Sequence, residues 1–168
     1  MGRLQNKEGI EMKQRVKKEF RFSDYIKDPL GQVENMIKEC ESISRNKGLK
    51  NLSSSQIRSI FTEIRRIYDD WRSESDGTNN LATESSIRLS NNKLKVKLLI
   101  PKLKYRLSKV GSLEERDKQT NKYKRTELGI FYDQLHECIS IIETSSDMQR
   151  LLEIFETLVA FLPQKPRQ

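Results

Sequence analysis

One histidine, one tryptophan, two cysteines and four prolines among 168 residues remove several classes of function before any motif is considered. A single histidine, His136, excludes a metal site built on a histidine cluster. Cys40 and Cys138 have neither the paired spacing of a zinc site nor that of a redox motif. Both fall at apolar positions of predicted helices, so they are expected as reduced, buried thiols that pack like small hydrophobes. No apolar run approaches the roughly 20 residues of a membrane span, and the opening MGRLQNKEGI has no apolar signal-peptide core. The expectation is a cytoplasmic protein with no membrane partner. A glycine-rich phosphate loop, a nucleophile elbow and an HExxH sequence are all missing. Nothing therefore assembles a catalytic site by spacing. The chain is not expected to be an enzyme, and no metal or other cofactor is implied.

What is present is charge on helical periodicity. Hydrophobic residues make up 35% and charged residues 33% of the chain, as expected of helices with one buried stripe and ionised side chains elsewhere. Scarce glycine, scarce proline and little β-branched alternation predict an all-α compact bundle of about five helices, with room for an extra N-terminal helix. Residues 1–27 read as a basic extension that orders against a partner, with MKQRVKKEF as a short helix within it. Residues 28–168 read as one helical-bundle domain.

The first predicted helix opens on Asp28 as N-cap with Pro29 at the first helical position and stops at Gly48. Its expected buried stripe is Leu30, Val33, Ile37, Cys40 and Ile43. The second begins where Ser53 and Gln56 form a capping box and Leu52 can staple onto Ile57. Ile57, Ile60, Phe61, Ile64, Ile67, Tyr68 and Trp71 mark its core face. SESDGTNNLATES, residues 73–85, has no periodicity and reads as a mobile loop. The third helix, 86–110, contains Pro101, which should kink or split it. Its core face is Val96, Leu99, Leu103, Leu107 and Val110. GSLEERDKQTNKYKR reads as a charged connection with one helical turn at most. Leu128, Phe131, Leu135, Cys138, Ile139 and Ile142 mark the fourth helix. The fifth carries Leu151, Phe155, Leu158, Val159 and Leu162, with Ser146 and Gln149 as its capping box and Pro163 as its end.

The positive charge is concentrated. Residues 93–125 hold 12 Lys and Arg against 3 acids, whereas residues 126–168 hold 3 against 7. Such a segment suits a polyanion, of which nucleic acid is the commonest. Two basic stripes stand out. Arg58, Arg65 and Arg72 recur every seven residues and lie within about 40° of one line along a helix. Lys95, Lys102, Arg106 and Lys109 share a second face and have no acid at i+3 or i+4 to pair with. The two stripes are expected to join as one positive surface where the second helix packs on the third. Flexible Lys and Arg side chains can follow phosphates without reading bases. Tyr105 and Tyr123 lie beside basic residues, where contact with a base or sugar and a packing role both stay open. A protein-interaction adaptor docking on an acidic partner is the rival reading. A nucleic-acid enzyme is a weaker one, since no metal-binding carboxylate cluster is discernible.

Three segments together resemble a known family. NLSSSQIRSIFTEIRRIYD, LLIPKLKYRLSKVG and LLEIFETLVAFLP are similar, in order and separation, to motifs of the small subunit of the Csm complex (Csm2-like), the type III-A CRISPR effector. The resemblance covers residues 28–162. It implies a non-catalytic helical subunit, present in several copies and stacked along the effector filament beside other subunits. It further implies a basic face that follows the backbones of guide RNA and target RNA without sequence preference. Carried onto this chain, the motif positions are Arg58, Lys102 and Tyr105, with Phe155 and Glu156 structural. Arg106, Leu107, Ser108 and Lys109 depart from the small residues and then Arg that often follow the family's tyrosine. Phe161 stands at its final tyrosine-like position.

Overall fold

A computed structural model describes residues 19–76 and 82–162. Its elements run α1 (Phe22–Lys27), α2 (Pro29–Arg45), a 3-10 turn (Lys47–Leu49), α3 (Ser54–Asp76), α4 (Ala82–Lys97), α5 (Leu99–Ser108), β1 (Glu114–Arg116), β2 (Tyr123–Arg125), α6 (Glu127–Ser140) and α7 (Ser145–Phe161). The fold is an all-α bundle carrying one two-stranded hairpin. In space α7 lies between α2 and α3, and α4 packs on the other side of α3. α6 packs on α5, and α1 closes the bundle against α2, α6 and α7.

Local chemistry sets most helix starts. The Asp28 carboxylate accepts from the Gly31 N–H at 3.1 Å and caps α2, with Pro29 behind it. At α3, Ser53 Oγ accepts from Gln56 N at 3.3 Å while Gln56 Oε1 accepts from Ser53 N at 2.8 Å, the reciprocal capping box its sequence predicts. Leu52 and Ile57, the expected staple, are both buried. The box of α7 forms two residues earlier than expected. Thr144 and Asp147 make it, not Ser146 and Gln149. Thr144 carries the extended backbone an N-cap needs, whereas Ser146 is already inside the helix. α7 ends at Phe161 with Leu162 as its C-cap; Pro163 lies outside the described residues.

Pro101 does its work three residues upstream. The helix is interrupted at Leu98, and Pro101 becomes the third residue of α5. The first turn of a helix has backbone donors without intrahelical acceptors, so the missing N–H costs little there. Leu98 itself keeps right-handed helical angles, so the chain does not reverse there.

α3 continues to Asp76 and α4 begins at Ala82, so helix covers much of the expected 73–85 loop; residues 77–81 of that loop lie outside the described residues. α1 falls inside the segment expected as an extension, yet Phe22, Tyr25 and Ile26 are buried in the core. Residues 1–18, with most of the expected short helix, are outside the described residues. On α2 the covered strip is Met36, Cys40 and Ile43, while Leu30 is 93% exposed and Val33 and Ile37 are exposed beside it. The helix bears two adjoining apolar strips, and contact with α1 and α7 decides which is buried.

The charged connection is a hairpin and contains no helical turn. Glu114 faces Arg125 and Glu115 faces Lys124 across the strands, with salt bridges of 2.9 and 3.1 Å. Asp117 closes the turn by accepting from the Gln119 and Thr120 N–H groups, and Asn121 adopts the left-handed region at φ 57°. Just beyond, Gly129 sits in α6 where an added Cβ would lie 2.1 Å from the Leu113 carbonyl oxygen. Only glycine permits that approach.

Candidate nucleic-acid interface

α3 carries the candidate site because it is the longest of the described helices and has core on one side and solvent along its back. Ile57, Ile60, Ile64, Ile67 and Trp71 are buried, with Phe61 and Tyr68 packed at their edge. Arg58, Arg65 and Arg72 are all exposed. Arg65 approaches Glu156 of α7 at 3.9 Å and its guanidinium lies 5.9 Å from the Phe61 ring. Arg58 and Arg72 make no ion pair among the described residues.

The second stripe is intact in position but is paired across helices. Lys102 reaches Glu63 at 2.6 Å and Arg106 reaches the same carboxylate at 2.8 Å. Lys95 pairs with Asp70 at 3.2 Å. Lys109 lies 5.1 Å from the ring centre of Tyr105, which is 63% exposed. Sequence spacing excluded partners within the helix, and the structure supplies them from its neighbour.

These pairs also locate the two stripes. Glu63 and Asp70 each follow an arginine of the stripe by five residues, which is about 140° around a helix. The cations of α4 and α5 that meet them therefore lie on one flank of α3, and the arginine stripe lies on the other, beside α7. The two stripes therefore flank the exposed back of α3 and do not pack directly on each other. Between them, on the exposed back of α3, lies Arg66, which the seven-residue spacing missed; it follows Arg65 directly, and its position was readable from the helical angle. Lys102 and Arg106 are brought together; Lys95 and Lys109 stand along the same helices with other neighbours.

Glu63 is the best-enclosed acid in this region, with its side chain 12% exposed. Burial alone would raise its pKa, but the hydrogen bond from Lys102 and the charges of Arg106, Lys102 and Arg66 outweigh burial and hold it below the usual carboxylate range. Tyr123 is exposed on β2, opposite Arg116. His136 is exposed on α6 with its ring 5.9 Å from that of Tyr132. Cys40 and Cys138 are buried free thiols, and burial pushes the Cys40 pKa up to about 12. Among the described residues no group of three or more His, Cys, Asp and Glu is placed to hold a metal ion, and no helix is long and apolar enough to cross a membrane.

No curated protein and no solved structure matches the chain. The family model described as Csm2 Type III-A matches residues 31–162. That span runs from the first turn of α2 to the C-cap of α7 and takes in the three motif segments up to Leu162, so the chain belongs to the Csm2 Type III-A family, the structural small subunit of the type III-A CRISPR complex.

Proposed function

We propose that this subunit holds the backbone of guide and target RNA inside the effector complex, without reading sequence and without catalysing a reaction. The observation that carries this reading is the solvent side of α3. Arg58, Arg66 and Arg72 project there with no ion pair among the described residues, and Arg65 adds a weakly held fourth charge. Guanidinium groups spread over such a face match phosphates as bidentate partners. Base readout has little support, because Tyr105 and Tyr123 are the only aromatic side chains more than half exposed among the described residues.

Stacking of copies along the filament has its own support. In the row α2, α7, α3, α4 the two outermost helices each present apolar side chains to solvent. These are Leu30, Val33 and Ile37 on α2, and Ile87, Leu89 and Leu94 on α4. Two different faces on opposite edges suit a head-to-tail contact, which propagates as a filament.

Fluorescence anisotropy with labelled RNAs of unrelated sequence over a salt series tests the RNA reading. Binding should be independent of sequence and fall steeply with salt. Changing both Arg58 and Arg72 to Gln should flatten the logarithmic salt slope by about 1.4, at about 0.7 per phosphate contact on a single strand. Absence of RNA binding at low salt, with a stoichiometric complex formed on an acidic partner, would favour the adaptor reading instead.

A further inference from the structure

We propose that Glu63 is a built-in counterion for Lys102 and Arg106, so that these two cations offer an RNA backbone one net charge fewer than their number. The inference rests on the RNA-backbone reading and adds a residue that limits how strongly the site holds a polyanion. The argument begins with exposure. The acids of the neighbouring ion pairs, Asp70 and Glu156, are 47% and 50% exposed, so water and salt screen them and a phosphate can take their cations at small cost. Glu63 is 12% exposed, and both of its oxygens are used, Oε1 accepting from Lys102 Nζ and Oε2 pairing with the Arg106 guanidinium.

A phosphate cannot take both cations from Glu63 without leaving an enclosed carboxylate unpaired, which is costly. Lys102 and Arg106 therefore keep one donor each on Glu63 while their remaining donors face solvent. Their side chains are 52% and 38% exposed, enough for an anion to reach them. The approaching phosphate meets two cations whose combined charge is already half neutralised. Arg66, whose positive charge helps keep Glu63 ionised, belongs to the same cluster.

Glu63→Gln tests this, since the amide keeps the shape and one acceptor while removing the charge. Circular dichroism and a urea titration establish that it folds. RNA binding should tighten, with a salt slope steeper by about 0.7, equivalent to about a twofold change in the variant-to-parent affinity ratio across a threefold change in salt. Asp69→Asn removes an exposed α3 carboxylate that makes no ion pair among the described residues, and it should change the slope less. The paired change Glu63→Gln with Arg106→Gln removes one charge of each sign and strands no carboxylate. It should keep the parent slope. An unchanged slope in Glu63→Gln, a change equal to that of Asp69→Asn, or a loss of about 0.7 in the paired variant would overturn the proposal. Retention on a heparin column separates the two readings. If no variant binds RNA but Glu63→Gln elutes from heparin at higher salt, the RNA reading fails and the counterion stands; equal elution removes the counterion.

Discussion

Replacing Phe22 by Ala should detach α1 from the bundle. α1 has six residues, far below the length at which an isolated helix holds itself in water, so its order depends on docking. Phe22, Tyr25 and Ile26 are 0%, 6% and 2% exposed. Full burial of three such side chains is worth about 5–9 kcal/mol. Ordering six backbone residues costs about 6–12 kcal/mol. These terms nearly cancel, so the polar ties decide the outcome. Arg21 and Ser23 bind the Glu137 carboxylate at 2.8 and 2.6 Å, the Tyr25 hydroxyl donates to Glu153 at 2.6 Å, and Arg150 donates to the Ile26 carbonyl at 2.6 Å. Removing a fully buried phenyl ring costs about 3–5 kcal/mol, more than that balance can absorb. Trypsin should then cut at Lys27 under native conditions, where the parent resists. Cys138 offers a second readout. It is fully buried in α6, the helix against which α1 packs, and Asp24 of α1 is near enough to influence its thiol, so undocking should speed its alkylation. Parent-like protease resistance, Cys138 reactivity and urea midpoint in Phe22→Ala would refute the reasoning.

Acid should destabilise the bundle through two carboxylates. Glu137 is held below the usual range by hydrogen bonds from Ser23 and Arg21, and Glu63 by its cations despite burial. A group whose folded pKa is depressed contributes stability above its unfolded value, about 4.3 for Glu, and loses it as pH falls through the folded value. The urea midpoint should therefore drop on going from pH 6 toward pH 3, and less so in Glu137→Gln; an equal drop in that variant would remove Glu137 from the account. Gly129→Ala should cost about 1–3 kcal/mol by overpacking against the Leu113 carbonyl, read as a lower thermal midpoint, and an unchanged midpoint would show that the hairpin can shift away.

Periodicity was enough wherever one face of a helix has one choice of partner. The α3 face from Ile57 to Trp71, the α5 face through Leu99, Leu103 and Leu107, and the α6 face from Leu128 to Ile139 are buried as their spacing predicts. The hairpin was not read from the sequence. Its EER and YKR segments place opposite charges at mirrored positions around an Asp and an Asn, but strands three residues long are too short to show alternation. The electrostatics of the candidate site were not legible either. Intrahelical spacing correctly found no partner for Lys102 and Arg106, yet Glu63, 39 residues from Lys102 along the chain, is hydrogen-bonded to it.

By itself the sequence determined the helical class, the capping of α2 and α3, the helix interruption before Pro101, the burial of both cysteines and the family motifs, because each depends on neighbours within a turn or two of the chain. Only the tertiary structure decided that Phe22, Tyr25 and Ile26 belong to the core, that α2 buries Met36 and leaves Leu30 outside, and that α3 separates two basic stripes. Those outcomes depend on which helix lies beside which, and burial and ion pairing are properties of that neighbour.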